Sequence, residues 1–232
     1  MQVAALYDVH GNLPALDAVL AEIPEGVSIL VGGDVAAGPW PAETLERLRA
    51  LGDRVHWIRG NADREVWEDA RGMAPPEMTD FVRARLSEEQ LDFLRPMPLT
   101  ETLAIDGLGR VLFCHATPRD DEEILTRISP DDRWASALAG VDADVVVCGH
   151  THVQFERPVD GVRLVNAGSV GMPYETEPGA YWALLGPDVA LRRTPYAAGD
   201  IASTGWPLEW PSAGPEEATE VFEQMSRERA GA

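Results

Sequence analysis

The 232-residue chain contains no lysine; all 19 of its basic residues are arginine. That absence excludes the lysine of a Walker-type phosphate loop, Schiff-base chemistry and lysine general bases. Codon usage accounts for it without a functional reason. Positive charge of any kind is scarce. Nineteen arginines against 39 acidic residues leave a net charge of −20, and no basic run occurs. An extended nucleic-acid surface is therefore not expected, because phosphate backbones are held by clustered Lys and Arg. Two cysteines cannot build a disulfide framework, and no C-x-x-C pair is present for structural zinc. No apolar run approaches a membrane span, and the apolar start Val3 to Leu6 lacks the basic flank and the length of a signal peptide. A cytoplasmic protein without a membrane partner is the expectation. With 45% hydrophobic residues the chain can bury one large core.

Histidine is also rare, and it is concentrated. Four of the five histidines lie in short motifs where an apolar stretch ends. Asp8-Val-His10-Gly-Asn12 follows the first stretch, His115 follows Val111-Leu-Phe-Cys114, and Gly149-His150-Thr-His152 follows Val145-Val-Val-Cys148. Gly33-Asp34 follows Ile29-Leu-Val31, and Gly60-Asn61 follows Val55-His-Trp-Ile58. An apolar run reads as a buried strand, and open α/β folds keep their chemistry at the C-terminal ends of strands. Five strand ends thus deliver Asp8, His10, Asp34, Asn61, His115, His150 and His152 to one rim. Taken singly, Asp-x-His is common, and Gly-Asp and Gly-Asn are ordinary turns. His150-x-His152 is more specific, since two histidines two apart at a strand end rarely arise from packing. Together they are enough ligands for two metal ions.

The layout is βαβαβ followed by strand-rich sequence. Strands are expected at Val3–Tyr7, Val27–Val31 and Val55–Ile58, with helices near Leu13–Glu22 and Ala42–Leu51. Asp63–Arg71 and Ser87–Leu94 read as helical, with Pro75-Pro76 breaking the region between them. Strands near Thr102–Ile105 and Arg110–Phe113 flank the turn Asp106-Gly107. A helix near Asp131–Ala139 precedes a strand at Asp144–Cys148. Val153–Arg157, Val162–Val165, Tyr181–Leu185 and Val189–Arg193 alternate like an antiparallel meander. Mixed sheets with helices outside follow from this order. Beyond residue 195 the character changes. Gly199–Pro215 is rich in Gly, Pro, Ser and Trp, and Glu216–Arg229 reads as a terminal helix. The expected division is a catalytic domain over 1–195 and a C-terminal extension over 196–232.

The order Asp-x-His, Gly-Asp, Gly-Asn, His, Gly-His-x-His resembles the calcineurin-like metallophosphoesterase family. The strings Asp8-Val-His-Gly-Asn12, Gly33-Asp-Val-Ala-Ala-Gly-Pro39 and Asn166-Ala-Gly-Ser-Val-Gly171 resemble its small bacterial and archaeal phosphodiesterase branch. The likeness spans roughly residues 1 to 194. It implies an α/β fold, a four-layer α/β/β/α sandwich of two mixed β-sheets flanked by helices, with a dinuclear metal centre at one edge. It implies that Asp8, His10 and His152 hold one metal, that Asn61, His115 and His150 hold the other, and that Asp34 bridges them. Asp34, Asn61 and His10 would then be catalytic. The mixed N/O set suits Mn, Fe, Zn, Ni or Co better than Mg or Ca. The implied reaction is in-line attack on phosphorus by a hydroxide held between two cations roughly 3.5–4 Å apart. No protein nucleophile is required. Ser169 is not one, because Ala167 stands where G-x-S-x-G needs its first glycine.

One departure from the family pattern bears on substrate. Many members carry His directly after Gly-Asn, where it helps protonate the leaving group; here Ala62 stands there. Monoesters with poor leaving groups should suffer, although His10 or a metal-bound water could substitute. A small-molecule phosphodiester is therefore the expected substrate. A dinucleoside polyphosphate is the rival; a protein phosphatase, a slow nucleotide-binding regulator and a metal-free scaffold are further readings. Asn12, Trp40 and Arg119 are candidate substrate contacts, though Trp40 could equally be packing and Arg119 surface. Asp63 is either structural or paired with Arg59 or Arg64. Cys114 and Cys148 read as buried packing residues rather than redox sensors, and His56 as no ligand. Trp206 and Trp210 could anchor the tail, cover the site or sit in a homodimer interface.

Overall fold

Along the first strand, Val3, Ala5 and Tyr7 face one side while Ala4 and Leu6 face the other, and both sets are buried. A strand buried on both faces must lie inside a layered fold, with something apolar above and below it. The computed structural model describes residues 1–68 and 72–230 and gives that arrangement. The first sheet contains β1 (Val3–Leu6), β2 (Ser28–Val31) and β3 (Val55–Trp57), which are parallel. The hairpin strands β9 (Ala180–Leu185) and β10 (Val189–Thr194) extend it antiparallel, in the order β10-β9-β1-β2-β3. The second sheet has the order β4-β5-β6-β8-β7, built from β4 (Thr100–Ile105), β5 (Gly109–Cys114), β6 (Val145–Cys148), β7 (Phe155–Val159) and β8 (Val162–Asn166). In it β5, β6 and β8 are parallel.

The two sheets pack face to face. Val3, Ala5, Tyr7 and Leu30 meet Val111, Phe113, Val145 and Val147 in one buried cluster, and the Tyr7 hydroxyl crosses the layer to the Val147 carbonyl at 2.9 Å. The outer face of the first sheet is covered by α1 (Leu13–Glu22), α2 (Pro41–Arg49), α3 (Asn61–Glu68), α4 (Pro76–Arg83) and α5 (Glu88–Leu94). The outer face of the second carries α6 (Asp131–Ala137), through Trp134, against Cys114, Val146, Cys148 and Leu164. This is the four-layer sandwich of mixed sheets. The last helix, α7 (Pro215–Ala230), docks on the segment before α6, where the buried Glu223 accepts from the Thr126 hydroxyl. Among the described residues no helix is long and apolar enough to cross a membrane.

Two expectations are corrected. Pro75-Pro76 does not merely break the chain: Pro76 starts α4, since proline at the first helical position loses no hydrogen bond and presets φ. The spacing Met78, Phe81, Val82 carried that helix, and all three are buried. The last four strands are not one meander either. β7 and β8 join the second sheet, whereas β9 and β10 join the first. Alternation reveals a strand, but it does not say which sheet buries it. The expected helix over Asp63–Arg71 begins at Asn61, and its residues 69–71 lie outside the described residues.

Candidate metal centre

The strand ends of both sheets meet at one rim, and the backbone there is unusual. Among the described residues six non-glycine positions have positive φ: Asp8, His10, Asp34, His150, His152 and Asp160. Five of those six are predicted ligands. A side-chain-bearing residue costs of order 1–3 kcal/mol in such a conformation, and that strain persists only where surrounding structure fixes it. Glycines let the loops approach this closely. A Cβ on Gly60 would meet Asp34 Oδ1 at 2.1 Å, and one on Gly149 would meet Asp8 Oδ2 at 2.4 Å.

Each of the two carboxylates has one oxygen pinned by a backbone N–H and the other turned toward the rim. The His150 N–H donates to Asp8 Oδ2 at 2.8 Å, while Asp8 Oδ1 lies 3.3 Å from His152 Nε2 and 3.8 Å from His115 Nε2. The Ala62 N–H donates to Asp34 Oδ1 at 2.8 Å, while Oδ2 lies 3.5 Å from His115 Nε2 and 3.8 Å from His10 Nε2. Three imidazoles are oriented in the same manner. His10, His115 and His152 place Nδ1 at 3.0, 2.8 and 2.7 Å from the carbonyls of Ala37, Gly32 and Met172. A carbonyl only accepts, so each Nδ1 carries the proton and each Nε2 is presented to the rim.

Chemistry that fits a cation follows. His10 Nε2 and His152 Nε2 are 3.1 Å apart, so two neutral rings would set lone pair against lone pair. Asp8 Oδ1, Asn61 Oδ1, His115 Nε2 and His150 Nε2 are buried without any hydrogen-bond partner. The Asp8, Asn61 and His150 atoms are buried acceptors without donors, costly by about 1–3 kcal/mol each unless a metal takes them, and His115 Nε2 holds a proton that a metal would displace. Asp8, His10 and His152 form one cluster of suitable spacing and Asp8, Asp34 and His115 another, so Asp8 is the residue common to both. All seven predicted ligands are buried at this rim.

The supporting contacts include one residue that the motifs did not reveal. Glu65, fully buried on α3, accepts from Asn61 Nδ2 at 3.1 Å and from the backbone N–H groups of Met73 and Ala74 at 2.9 Å each. It fixes the Asn61 amide so that Oδ1 faces the rim. Its position four residues after Asn61, one helical turn on, was the available signal. Glu65→Ala should lower manganese affinity about 10- to 100-fold, as loss of a group that orients a ligand does. It should also cost about 1–3 kcal/mol by orphaning those N–H groups. A metal titration beside a thermal melt checks this; unchanged metal affinity with a lowered melting temperature would leave Glu65 merely structural.

Ser169 lies beneath the centre, donating to the Asp8 carbonyl at 2.7 Å and accepting from the Met172 N–H at 2.8 Å. Asp63 is structural: it accepts from the Val35 and Ala36 N–H groups, holding the loop that carries Asp34, and pairs with neither arginine. Arg59 and Arg64 instead share Asp121. The three candidate substrate contacts are engaged with other partners. Asn12 caps α1 through Ala15 and donates to Gly171, because its position before the helix suits a cap. Trp40 precedes α2 and packs toward Pro14 and Gly199. Arg119 pairs with Glu123 on the surface. Cys114 and Cys148 are buried free thiols, pushed up by burial. His56 lies 3.6 Å from Glu101, away from the rim.

Electrostatics at the rim are set by these contacts. Burial opposes charge on His115, yet the Asp34 and Asp8 carboxylates push it up to about 10. Burial likewise opposes charge on Asp34, but His115 and His10 hold its carboxyl well below the usual carboxylate range. Burial and the His115 charge push His150 down to about 4. A folded value for His115 above the unfolded value of about 6.5 stabilises the metal-free fold fully below that pH. The contribution is lost as pH rises toward about 10. The metal-free melting temperature should therefore fall between pH 7 and 10. A cation must displace the same proton, so manganese binding should strengthen over that range with proton release. Calorimetry in buffers of different ionisation enthalpy measures it; binding without proton release would contradict this assignment.

Over the centre opens a cleft of about 270 Å³, floored by His10, Asp34, Asn61, His150 and His152. Trp206 and Phe222 from the C-terminal region form part of its wall.

Residues 1–186 match the calcineurin-like phosphoesterase superfamily domain. An uncharacterized protein of Methanocaldococcus jannaschii is 27% identical over 177 residues, covering 72% of this chain and 69% of its own. A symmetrical bis(5'-nucleosyl)-tetraphosphatase of Klebsiella pneumoniae is 30% identical over 141 residues, covering 56% of this chain; the match spans about half (49%) of that relative's length. The crystal structure of a metallophosphoesterase from Sphaerobacter thermophilus superposes with a TM-score of 0.70 at 26% identity, covering 96% of this chain and 99% of that one. With its sandwich, its rim and this match over 186 residues, the chain belongs to the calcineurin-like phosphoesterase superfamily.

Proposed function

We propose that the chain hydrolyses a phosphodiester bond in a small molecule, in the cytoplasm, using two transition-metal ions of the Mn, Fe, Zn, Ni or Co class. Asp8, His10, Asp34, Asn61, His115, His150 and His152 would hold them. The observation that carries this reading is the set of buried donor atoms without protein partners, Asp8 Oδ1, Asn61 Oδ1, His115 Nε2 and His150 Nε2, beside two Nε2 lone pairs turned on each other. Two carboxylates offset part of the charge of two divalent cations and leave the pair net positive toward a phosphoester. When bound, the metals supply Lewis acidity and an activated water.

The chain's own residues orient and exclude. The carbonyls of Ala37, Gly32 and Met172 fix which nitrogen of each ring faces the substrate. Glu65 holds Asn61. Ala62 lines the cleft where a leaving-group acid would otherwise stand, and His10 cannot readily replace it, since its one proton is committed to Ala37. A diester or an anhydride, whose leaving group needs less protonation, suits such a site. The names of the tetraphosphatase relatives favour a second reading, hydrolysis of a dinucleoside polyphosphate.

The test is manganese-supplemented hydrolysis of bis-p-nitrophenyl phosphate beside p-nitrophenyl phosphate and a dinucleoside tetraphosphate. The diester should be cleaved fastest. Faster monoester cleavage would overturn the reading of Ala62, and preference for the tetraphosphate would install the second reading. No turnover with metals confirmed bound would remove the catalytic reading altogether.

A further inference from the structure

The floor of the cleft is polar, but its walls are not. Met73, Met78, Met172, Tyr174, Trp206 and Phe222 line it. The aromatic rings are seated against neighbours. Trp206 packs edge-on against Phe81 at 5.2 Å, Tyr174 stacks on His152 at 5.2 Å, and Phe222 lies 6.0 Å from Tyr174. Methionines supply soft, adaptable contacts to an apolar or aromatic guest. Among the described residues of the wall, Glu209 carries the one charge, and it is negative. A chain of further phosphates would meet that carboxylate rather than the cationic donors that phosphates require. The space also limits the guest. About 270 Å³ lies below the range of roughly 300–1,000 Å³ of sites for drug-sized ligands. It accommodates one organic arm.

We propose that this cleft binds an uncharged aryl or alkyl arm of the substrate, one of the two ester groups on the reacting phosphorus, selected by Trp206 and Phe222 of the C-terminal region. The inference rests on the phosphoesterase reading above and narrows it. The selecting residues lie beyond the family match, which ends at residue 186. The shared domain thus supplies the reacting centre, and the chain's own C-terminal segment supplies the preference.

Binding of non-hydrolysable phosphonates to the manganese-loaded full chain tests this by calorimetry. Phenylphosphonate should bind roughly 10- to 100-fold tighter than methylphosphonate, the ratio expected from burying a ring. Phe222→Ala and Trp206→Ala should shrink that ratio several-fold, and Phe222→Leu should recover part of it; both native side chains are only half-buried. The wild-type ratio decides the matter even if a truncated variant fails to fold. Equal affinity for the two phosphonates would overturn the apolar arm while leaving the phosphoesterase reading intact. So would tighter binding of tripolyphosphate than of phenylphosphonate. If neither phosphonate binds the metal-loaded chain, the phosphoesterase reading falls and this inference with it. A parallel kinetic series, methyl against phenyl p-nitrophenyl phosphate, should show the same order in kcat/KM.

Discussion

Asp34→Asn should strip the chain of bound manganese and lower diester hydrolysis on the order of 10³-fold, since charge stabilisation of several kcal/mol is removed. The substitution keeps size and shape, so the effect is electrostatic. In the native chain one oxygen accepts from the Ala62 N–H and the other faces His10 and His115. An asparagine oxygen kept at Ala62 turns an NH₂ group, a donor, toward those rings and any cation between them. Turning the amide over sets the NH₂ against the Ala62 N–H instead. Only the second rotamer keeps an acceptor at the rim, at the loss of the Ala62 contact, and neither carries the negative charge of the carboxylate. Metal content by mass spectrometry, measured beside the rate, checks this. Full metal occupancy with full activity would remove Asp34 from the centre.

Gly60→Ala should be nearly as damaging although it alters no ligand. The added Cβ would stand 2.1 Å from Asp34 Oδ1 and 2.3 Å from the Asp34 backbone nitrogen. The second of these is backbone and cannot swing aside, so the loop must move. Overpacking of this kind costs about 1–3 kcal/mol or more, which for a chain of this size lowers the melting temperature by roughly 2–4 °C per kcal/mol. The displaced loop carries Asp34 and adjoins Asn61, so metal affinity should fall at least about 100-fold, as when ligand geometry is lost. Gly26→Ala is the control, because a Cβ there meets nothing within 4 Å. Its cost is confined to its own positive φ. Equal metal affinity in the two variants would show that the close approach at Gly60 does not position the centre.

Much of this molecule was legible in its sequence because its strands are apolar and end on chemistry-bearing residues. The runs Ile29-Leu-Val31 and Val145-Val-Val-Cys148 are buried strands, and each delivers its predicted side chains to the rim. The structure engages Asn12, Trp40 and Arg119 with other partners for a common reason. Proximity in sequence to a ligand does not give direction in space. Asn12 is turned inward by helix capping, Trp40 toward Pro14 and Gly199, and Arg119 outward to Glu123. Glu65 went unnoticed because its partners Met73 and Ala74 lie on a loop that no local pattern ties to it. The walls of the cleft come from residues 73 to 222 and belong to no motif.

The sequence alone determined the class of fold and the identity of the rim residues. Both depend on periodicity and on residue type, which are local. Tertiary structure alone decided the sheet that each late strand joins, the strained backbone that aims the ligands, and the apolar wall above them. Those depend on contacts between segments up to 196 residues apart, such as the cleft walls formed by Met172 and Trp206 over His10 and Asp34. Such contacts are chosen by whichever packing buries the most apolar surface with every polar group satisfied. No single stretch of the chain encodes that choice.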